Sequence, residues 1–78
     1  MFFKKESLAE TIACGDVFYR HMMMSLQEQA KVLRVENDDQ GIPHVHYEKT
    51  VIRTGYQEHA GHRVLALATF EREFHLAH

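Results

Sequence analysis

Two histidines and a glutamate stand at alternate positions in one short tract, as His44, His46 and Glu48. Because alternate residues of a β-strand point to the same side, a strand here would place these three side chains in one row. Imidazole nitrogens with a carboxylate suit zinc, or iron in a two-histidine, one-carboxylate arrangement. His59 or His62 can supply a further ligand. The spacing gives a candidate metal site, and the ordinary alternative is a solvated strand face.

A second candidate site combines cations with an aromatic ring, in Arg53, Tyr56 and Arg63. These residues lie in or beside a stretch with a glycine near each end, predicted to be a loop over 54–61. Small β-domains bind peptides or single-stranded nucleic acid through aromatic side chains flanked by cations. The formal net charge of −2 argues against nucleic acid. We therefore predict that these three residues form a binding rim for a protein or peptide partner.

Catalytic patterns do not stand out in the sequence. There is no Ser-His-Asp order, no phosphate-binding glycine loop and no evident pair of catalytic carboxylates. A domain of 78 residues also has little room for a substrate pocket of about 300 Å³ or more. The sequence favours a small binding or adaptor module over an enzyme, without a cofactor unless the histidine row holds zinc or iron.

Length and cysteine content set the domain organisation and the expected compartment. The 78 residues predict one domain over 1–78, and Cys14 is the only cysteine, so no disulfide can form within the chain. A lone cysteine indicates a reducing compartment such as the cytoplasm. No apolar run approaches the roughly 20 residues of a membrane helix, and the opening residues do not resemble a signal peptide. We expect a cytoplasmic protein with no membrane partner.

The two ends of the chain are predicted to be helical. Ser7 and Glu10 have the spacing of a capping box, and Gly15 suits the position after a helix end, which predicts a helix over 8–14 within an N-terminal helical segment, 1–15. Near the other end, Thr69 is a candidate N-cap for a short helix in which Phe70 and Phe74 pair at i,i+4. The segment 69–78 is read as this helix and a tail.

The segment 16–68 is predicted to be an antiparallel sheet. Strands are expected over about 17–23, around 32–36, over 42–53 and over 62–67, with a dense turn signal at 37–41. Met22, Met23 and Met24 are interpreted as core fillers, with a partner-binding surface as the alternative. The predicted core comprises Leu8, Ile12, Val17, Tyr19, Val32, Val35, Val45, Tyr47, Val51, Val64, Leu65, Leu67, Phe70 and Phe74.

These elements predict a mainly β fold of the α+β class. The expected architecture is a small, strongly bent antiparallel sheet or a Src-homology-3-like barrel of four or five strands, with a short helix at each end. The alternative is a flat sheet with the N-terminal helix across one face. The segment 62–67 has apolar residues on both faces, which indicates a central or barrel strand. An open sheet must protect its edges, and pairing of two edges into a homodimer is one solution.

The chain resembles a group of short uncharacterised bacterial proteins, which form a domain of unknown function. The resemblance rests on Gly41-Ile42-Pro43-His44-Val45, on Arg63–Leu67 and on the aromatic end at Phe70 and Phe74, and it covers roughly residues 16–74. It implies a small bent-sheet domain and supplies no mechanism.

A partial likeness to the metal motif of cupins involves Gly41, His44, His46, Glu48 and Gly55. The spacing from Glu48 to Gly55 fits the cupin pattern. The spacing before the histidines is short, and only Tyr47 separates His46 from Glu48. Cupins also need a double-sheet barrel of about eight strands, more than this chain comfortably supplies. The likeness implies metal binding on the same strand, with His59 or His62 as the place to seek a further ligand.

Overall fold

A computed structural model describes residues 12–76 as a five-stranded antiparallel sheet with one short helix. The sheet has the order β4-β3-β2-β1-β5, and its outer strands do not pair with each other. The predicted mainly β class and strand number are therefore confirmed, whereas the open sheet does not confirm a Src-homology-3-like barrel. The elements are β1 Val17–His21, β2 Gln27–Asn37, β3 Pro43–Arg53, β4 Tyr56–Ala66, α1 Leu67–Glu73 and β5 His75–Leu76.

One face of the sheet, here called the inner face, packs against α1. Tyr47 on β3 meets the rings of Phe70 and Phe74 from the helix, with centroids 5.6 and 5.7 Å apart. The two phenylalanines stack at 4.5 Å, which confirms their predicted i,i+4 pairing. Apolar burial on one face is what the alternation of β3 predicts. The buried core consists of Phe18, Ala30, Val32, Val45, Tyr47, Leu67, Phe70 and Phe74.

The observed core differs from the predicted core on β1 and β4, and Val51 of β3, also predicted to be core, is only half-buried. On β1 the buried residue is Phe18, while Val17 and Tyr19, which were predicted to be core, point to the opposite face because strand side chains alternate. On β4, Val64 is 45 % exposed. The prediction that this segment is a central strand is wrong, because β4 lies at the end of the sheet that residues 12–76 form and pairs there with β3 alone.

The predicted loop over 54–61 is also wrong. Thr54 and Gly55 make a tight turn, and β4 begins immediately after it, at Tyr56. Gly55 has a φ of 92°, a backbone conformation that glycine adopts without steric cost. Ala60 has no partner in β3, since the pairing register shifts between His59 and Gly61. This bulge replaces the predicted loop and keeps β4 paired along its length.

The helical predictions are partly outside the described residues. Residues 8–11 of the predicted N-terminal helix lie outside them, and 12–14 are not helical. The C-terminal helix begins at Leu67, so Thr69 lies inside it and is not its N-cap. The segment after the helix contains the short strand β5 where only a tail was predicted.

The β1–β2 turn exposes the methionines that were interpreted as core fillers. Met23 is 75 % exposed and Met24 is 87 % exposed. Met24 and Ser25 have φ values of 62° and 66°, which are uncommon for residues with a Cβ atom. The core interpretation is therefore wrong for this turn.

Asp38 holds the predicted turn between β2 and β3. Its Oδ1 accepts hydrogen bonds from the backbone N–H of Gln40, at 2.8 Å, and of Ile42, at 2.9 Å. These hydrogen bonds, with Ile42 the larger cause, lower the pKa of Asp38 because they favour the charged carboxylate. The turn fixes where β3 begins and hence which side chains of β3 face each side.

Candidate functional site

The face of the sheet opposite α1, here called the outer face, carries the predicted histidine row. His44, His46 and Glu48 alternate along β3 with the inner residues Val45 and Tyr47, as predicted. The neighbouring strands place Glu36 opposite His44 and His62 opposite Glu48. The sheet thus brings one of the two further candidates, His62, to the row.

His46 and His62 form a direct contact, here called the histidine pair. Nδ1 of His46 lies 3.1 Å from Nε2 of His62. The ring planes differ by 18° and the ring centroids are 5.2 Å apart, so one ring can donate its N–H to the other nearly in plane. Two zinc-bound imidazoles have a similar nitrogen separation of about 3.4 Å, but their lone pairs converge on the metal instead of pointing at each other. The geometry shown is that of a hydrogen bond between the two rings.

The other candidate ligands point elsewhere. His44 Nδ1 lies 2.9 Å from the carbonyl oxygen of Ile42, and His59 Nδ1 lies 3.2 Å from Oγ1 of the buried Thr50. Glu48 is exposed. Within residues 12–76, no three His, Cys, Asp or Glu side chains are grouped so that they could hold a metal ion. The structure assembles two of the predicted ligands and leaves the others apart.

The surroundings of His46 disfavour its charged form. Its side chain is 17 % exposed, and its Nε2 lies 3.4 Å from Oε1 of Glu36. Burial is the largest cause that lowers the pKa of His46, followed by the Arg34 guanidinium, while Glu36 acts in the opposite direction. The imidazole is therefore held neutral to a lower pH than a free histidine.

Acidification should consequently destabilise the fold through His46. Because the pKa is lower in the folded state, the unfolded chain binds more protons below about pH 6.5. We expect the free energy of unfolding to fall as pH drops through that value towards the folded pKa, and His46→Gln to reduce this dependence. Urea titrations between pH 5 and 8 measure it, with His21→Gln, at an exposed histidine, as the matched control. An equal pH dependence in wild type and His46→Gln would contradict the assignment.

The predicted binding rim is brought together only in part. Arg53 and Tyr56 are cross-strand partners beside the tight turn, and both are exposed. Arg63 lies on the same face, but it is seven residues beyond Tyr56 on β4, where it pairs with Tyr47 of β3. The separation of Tyr56 and Arg63 along the strand is roughly 20 Å. Arg53 and Tyr56 therefore lie at one end of β4 and Arg63 lies near the other, so the three residues do not form one cluster.

The outer side of β4, here called the free edge, is the most extended feature near these residues. β4 has 11 residues, most of them exposed, and no strand within residues 12–76 pairs with its outer side. At the opposite edge of the described sheet, β5 has two residues and pairs with Phe18 and Tyr19 of the five-residue strand β1. Alternate backbone N–H and C=O groups of an edge strand point away from the sheet, where they can bind another extended chain.

Sequence reasoning missed a buried ion pair on the inner face. Glu28 is fully buried, and its Oε1 accepts from Arg20 Nε at 3.0 Å and lies 2.8 Å from Nη2. Arg20 also pairs with Glu73 of α1, and its guanidinium lies 4.6 Å from the ring centroid of Phe74. The available signal was the position of Glu28 in the alternating series with Ala30 and Val32.

Glu28 also affects the core tyrosine beside it. Burial, and then the nearby Glu28 carboxylate, raise the pKa of Tyr47. Lys49 Nζ lies 4.0 Å from Glu28 Oε1, whereas Oε2 accepts no hydrogen bond from the described residues. Through Arg20, Glu28 and Glu73, these ion pairs hold β1, β2 and α1 together.

No helix in the described part of the chain is long and apolar enough to cross a membrane. The resemblance to uncharacterised bacterial proteins stays a prediction. Comparisons with protein-family models, curated proteins and solved structures found no match to this chain.

Proposed function

We propose that this protein is a small, non-catalytic binding module that pairs an extended segment of a protein partner with the free edge of β4. The observation that supports the proposal is the contrast between the two edges of the described sheet: β4 offers 11 residues, whereas β1 at the other edge has five, two of them paired with β5. An edge strand of this length offers alternate backbone groups for strand addition, which gives affinity without a deep pocket.

Side chains along the free edge supply selectivity. Tyr56 is 54 % exposed beside the cation of Arg53, and Arg63 lies near the other end of β4. Tyrosine and arginine contribute strongly to protein interfaces because they combine large contact area with hydrogen bonding. Glu58 lies between Tyr56 and Arg63 on the same face. A partner segment that fits this edge therefore contains apolar residues and charged residues of both signs at alternate positions.

The cytoplasm is the proposed compartment, in keeping with the exposed free thiol of Cys14.

The test is selection of short random peptides on sparsely immobilised protein, so that copies of the chain cannot pair. Selected peptides should bind Tyr56→Ala and Arg63→Glu at least about tenfold more weakly than wild type. Arg72→Glu, at an exposed arginine on α1, should leave binding unchanged. Equal binding to all three variants, or peptides that bind only at the exposed methionines of the β1–β2 turn, would show that β4 is not the binding surface.

Metal binding is the alternative function, and the histidine pair is the observation that favours it. Rotation of the two rings can turn the nitrogens, now 3.1 Å apart, towards a shared zinc or iron ion. Titration of the histidine ring signals with zinc and iron(II) tests this function. Saturation at His46 and His62 near one equivalent, abolished by His62→Ala, would support it. Weak, diffuse broadening of all histidines would exclude it.

A further inference from the structure

We infer that the partner at the free edge of β4 is a second copy of this chain, bound antiparallel across a two-fold axis. The inference rests on the proposed function, because it uses the same edge. Its basis is that the side chains of β4 are complementary to those of β4 itself in one register. The axis of that register passes between Ala60 and Gly61.

Charge complementarity selects this register. Glu58 of one copy lies opposite Arg63 of the other, and the symmetry repeats the pair. Both residues are on the inner face, since Glu58 pairs with Val51 and Arg63 pairs with Tyr47 within the chain. Opposite charges directly across an antiparallel pair are favourable, and like charges there are unfavourable. The dimer thus contains two matched ion pairs on one face.

The flanking pairs agree with the same alignment. Tyr56, an exposed aromatic residue, lies opposite Leu65 of the other copy, and both are on the inner face. On the outer face, His59 lies opposite His62 and Gln57 lies opposite Val64. Residues directly opposite in an antiparallel sheet share a face, so a shift by one residue would break every such match. Ten residues of β4, Tyr56 to Leu65, take part.

The bulge in β4 falls on the axis of this register. Bulges often protect an edge because they distort it. Here the residues at the distortion are Ala60 and Gly61, and a Cβ atom built on Gly61 would meet only the Arg63 side chain, at 3.9 Å. Glycine inside a strand often marks a place where another backbone approaches closely. Small side chains at the axis let the two bulged segments meet without a side-chain collision.

Charge reversal tests the register. Glu58→Arg alone places Arg opposite Arg63, and Arg63→Glu alone places Glu opposite Glu58, so each variant should self-associate at least about tenfold more weakly than wild type. A mixture of the two variants should form a heterodimer, because each copy then carries the charge that its partner needs. The double variant Glu58→Arg/Arg63→Glu should restore the homodimer.

Sedimentation velocity from micromolar to millimolar concentration measures these equilibria, and circular dichroism confirms that each variant is folded. Arg72→Glu is the matched control, because it reverses an exposed arginine on α1, away from β4, and should self-associate as wild type does. Wild-type protein that stays monomeric throughout would overturn the inference, as would a mixture of Glu58→Arg with Arg63→Glu that fails to pair. Neither result refutes the proposed function if selected peptides still bind β4, whereas a chain that binds neither itself nor a peptide at β4 refutes both.

Discussion

We expect Phe70→Ala to leave the protein largely unfolded at 25 °C. Phe70 is fully buried and its ring contacts Phe18 at 5.1 Å, Tyr47 at 5.6 Å and Phe74 at 4.5 Å between centroids. Removal of a buried phenylalanine side chain costs about 3–5 kcal/mol, from lost burial and from the cavity left behind. In chains of this size a single hydrophobic core rarely supplies more than about 3–5 kcal/mol of stability. The loss is therefore comparable to the whole stability.

Far-UV circular dichroism and the dispersion of amide resonances measure this loss. Phe70→Leu should remain folded with a lower melting temperature, because leucine keeps much of the apolar volume. Val64→Ala, at an exposed position of β4, should change stability by no more than about 0.5 kcal/mol. A native spectrum and unchanged melting temperature for Phe70→Ala would mean that α1 does not pack on the sheet as described.

Arg20→Met should lower the free energy of unfolding by about 3 kcal/mol, the second large effect that we expect. It leaves the Glu28 carboxylate, whose side chain is 1 % exposed, without its closest cation, and Lys49 is 4.0 Å away. Breaking one side of a buried ion pair leaves an uncompensated charge, which costs several kcal/mol. The double variant Arg20→Met/Glu28→Met should recover most of the stability, because it removes both charges.

Urea unfolding of the two single variants and the double variant gives the coupling energy of the pair. Arg34→Met is the matched control, since Arg34 and Glu36 form an ion pair at 3.3 Å with both side chains more than half exposed. Such surface pairs contribute about 0–1 kcal/mol. If Arg20→Met costs no more than Arg34→Met, the Glu28 carboxylate is not buried as an ion.

The β3 strand and its preceding turn could be predicted because their local chemistry agrees with the fold. Asp38 and Gly41 fit the turn, and strict alternation from His44 to Glu48 gives each side chain its face. Pro43 is tolerated because it is the first residue of the strand. Here sequence pattern and three-dimensional environment require the same residues.

The β4 strand could not be predicted in the same way. An edge strand exposed on both faces has no apolar alternation over Gln57–His62. Its two glycines were interpreted as loop ends, but Gly55 occupies a tight turn and Gly61, with a φ of 86°, adjoins the bulge. Turn and bulge glycines have the same sequence pattern as loop glycines.

The candidate site was predictable only within one strand. Alternation placed His44, His46 and Glu48 on one face, but the contact between His46 and His62 depends on the register of β3 with β4, which shifts at Ala60. Likewise, nothing in the local sequence pairs Glu28 with Arg20, because their contact requires the alignment of β1 with β2. Contacts between strands are set by register, which single-strand periodicity does not contain.

A partner chain that pairs with the free edge of β4 should protect backbone amides there, and amide hydrogen exchange measured by nuclear magnetic resonance detects this protection residue by residue. Exchange is compared between dilute free protein and protein saturated with a selected peptide, or with its own copies at high concentration. We expect slower exchange at alternate β4 amides, those directed away from β3, with little change on α1 or at the β1–β2 turn. Unchanged exchange along β4, with protection elsewhere on the molecule, would contradict it.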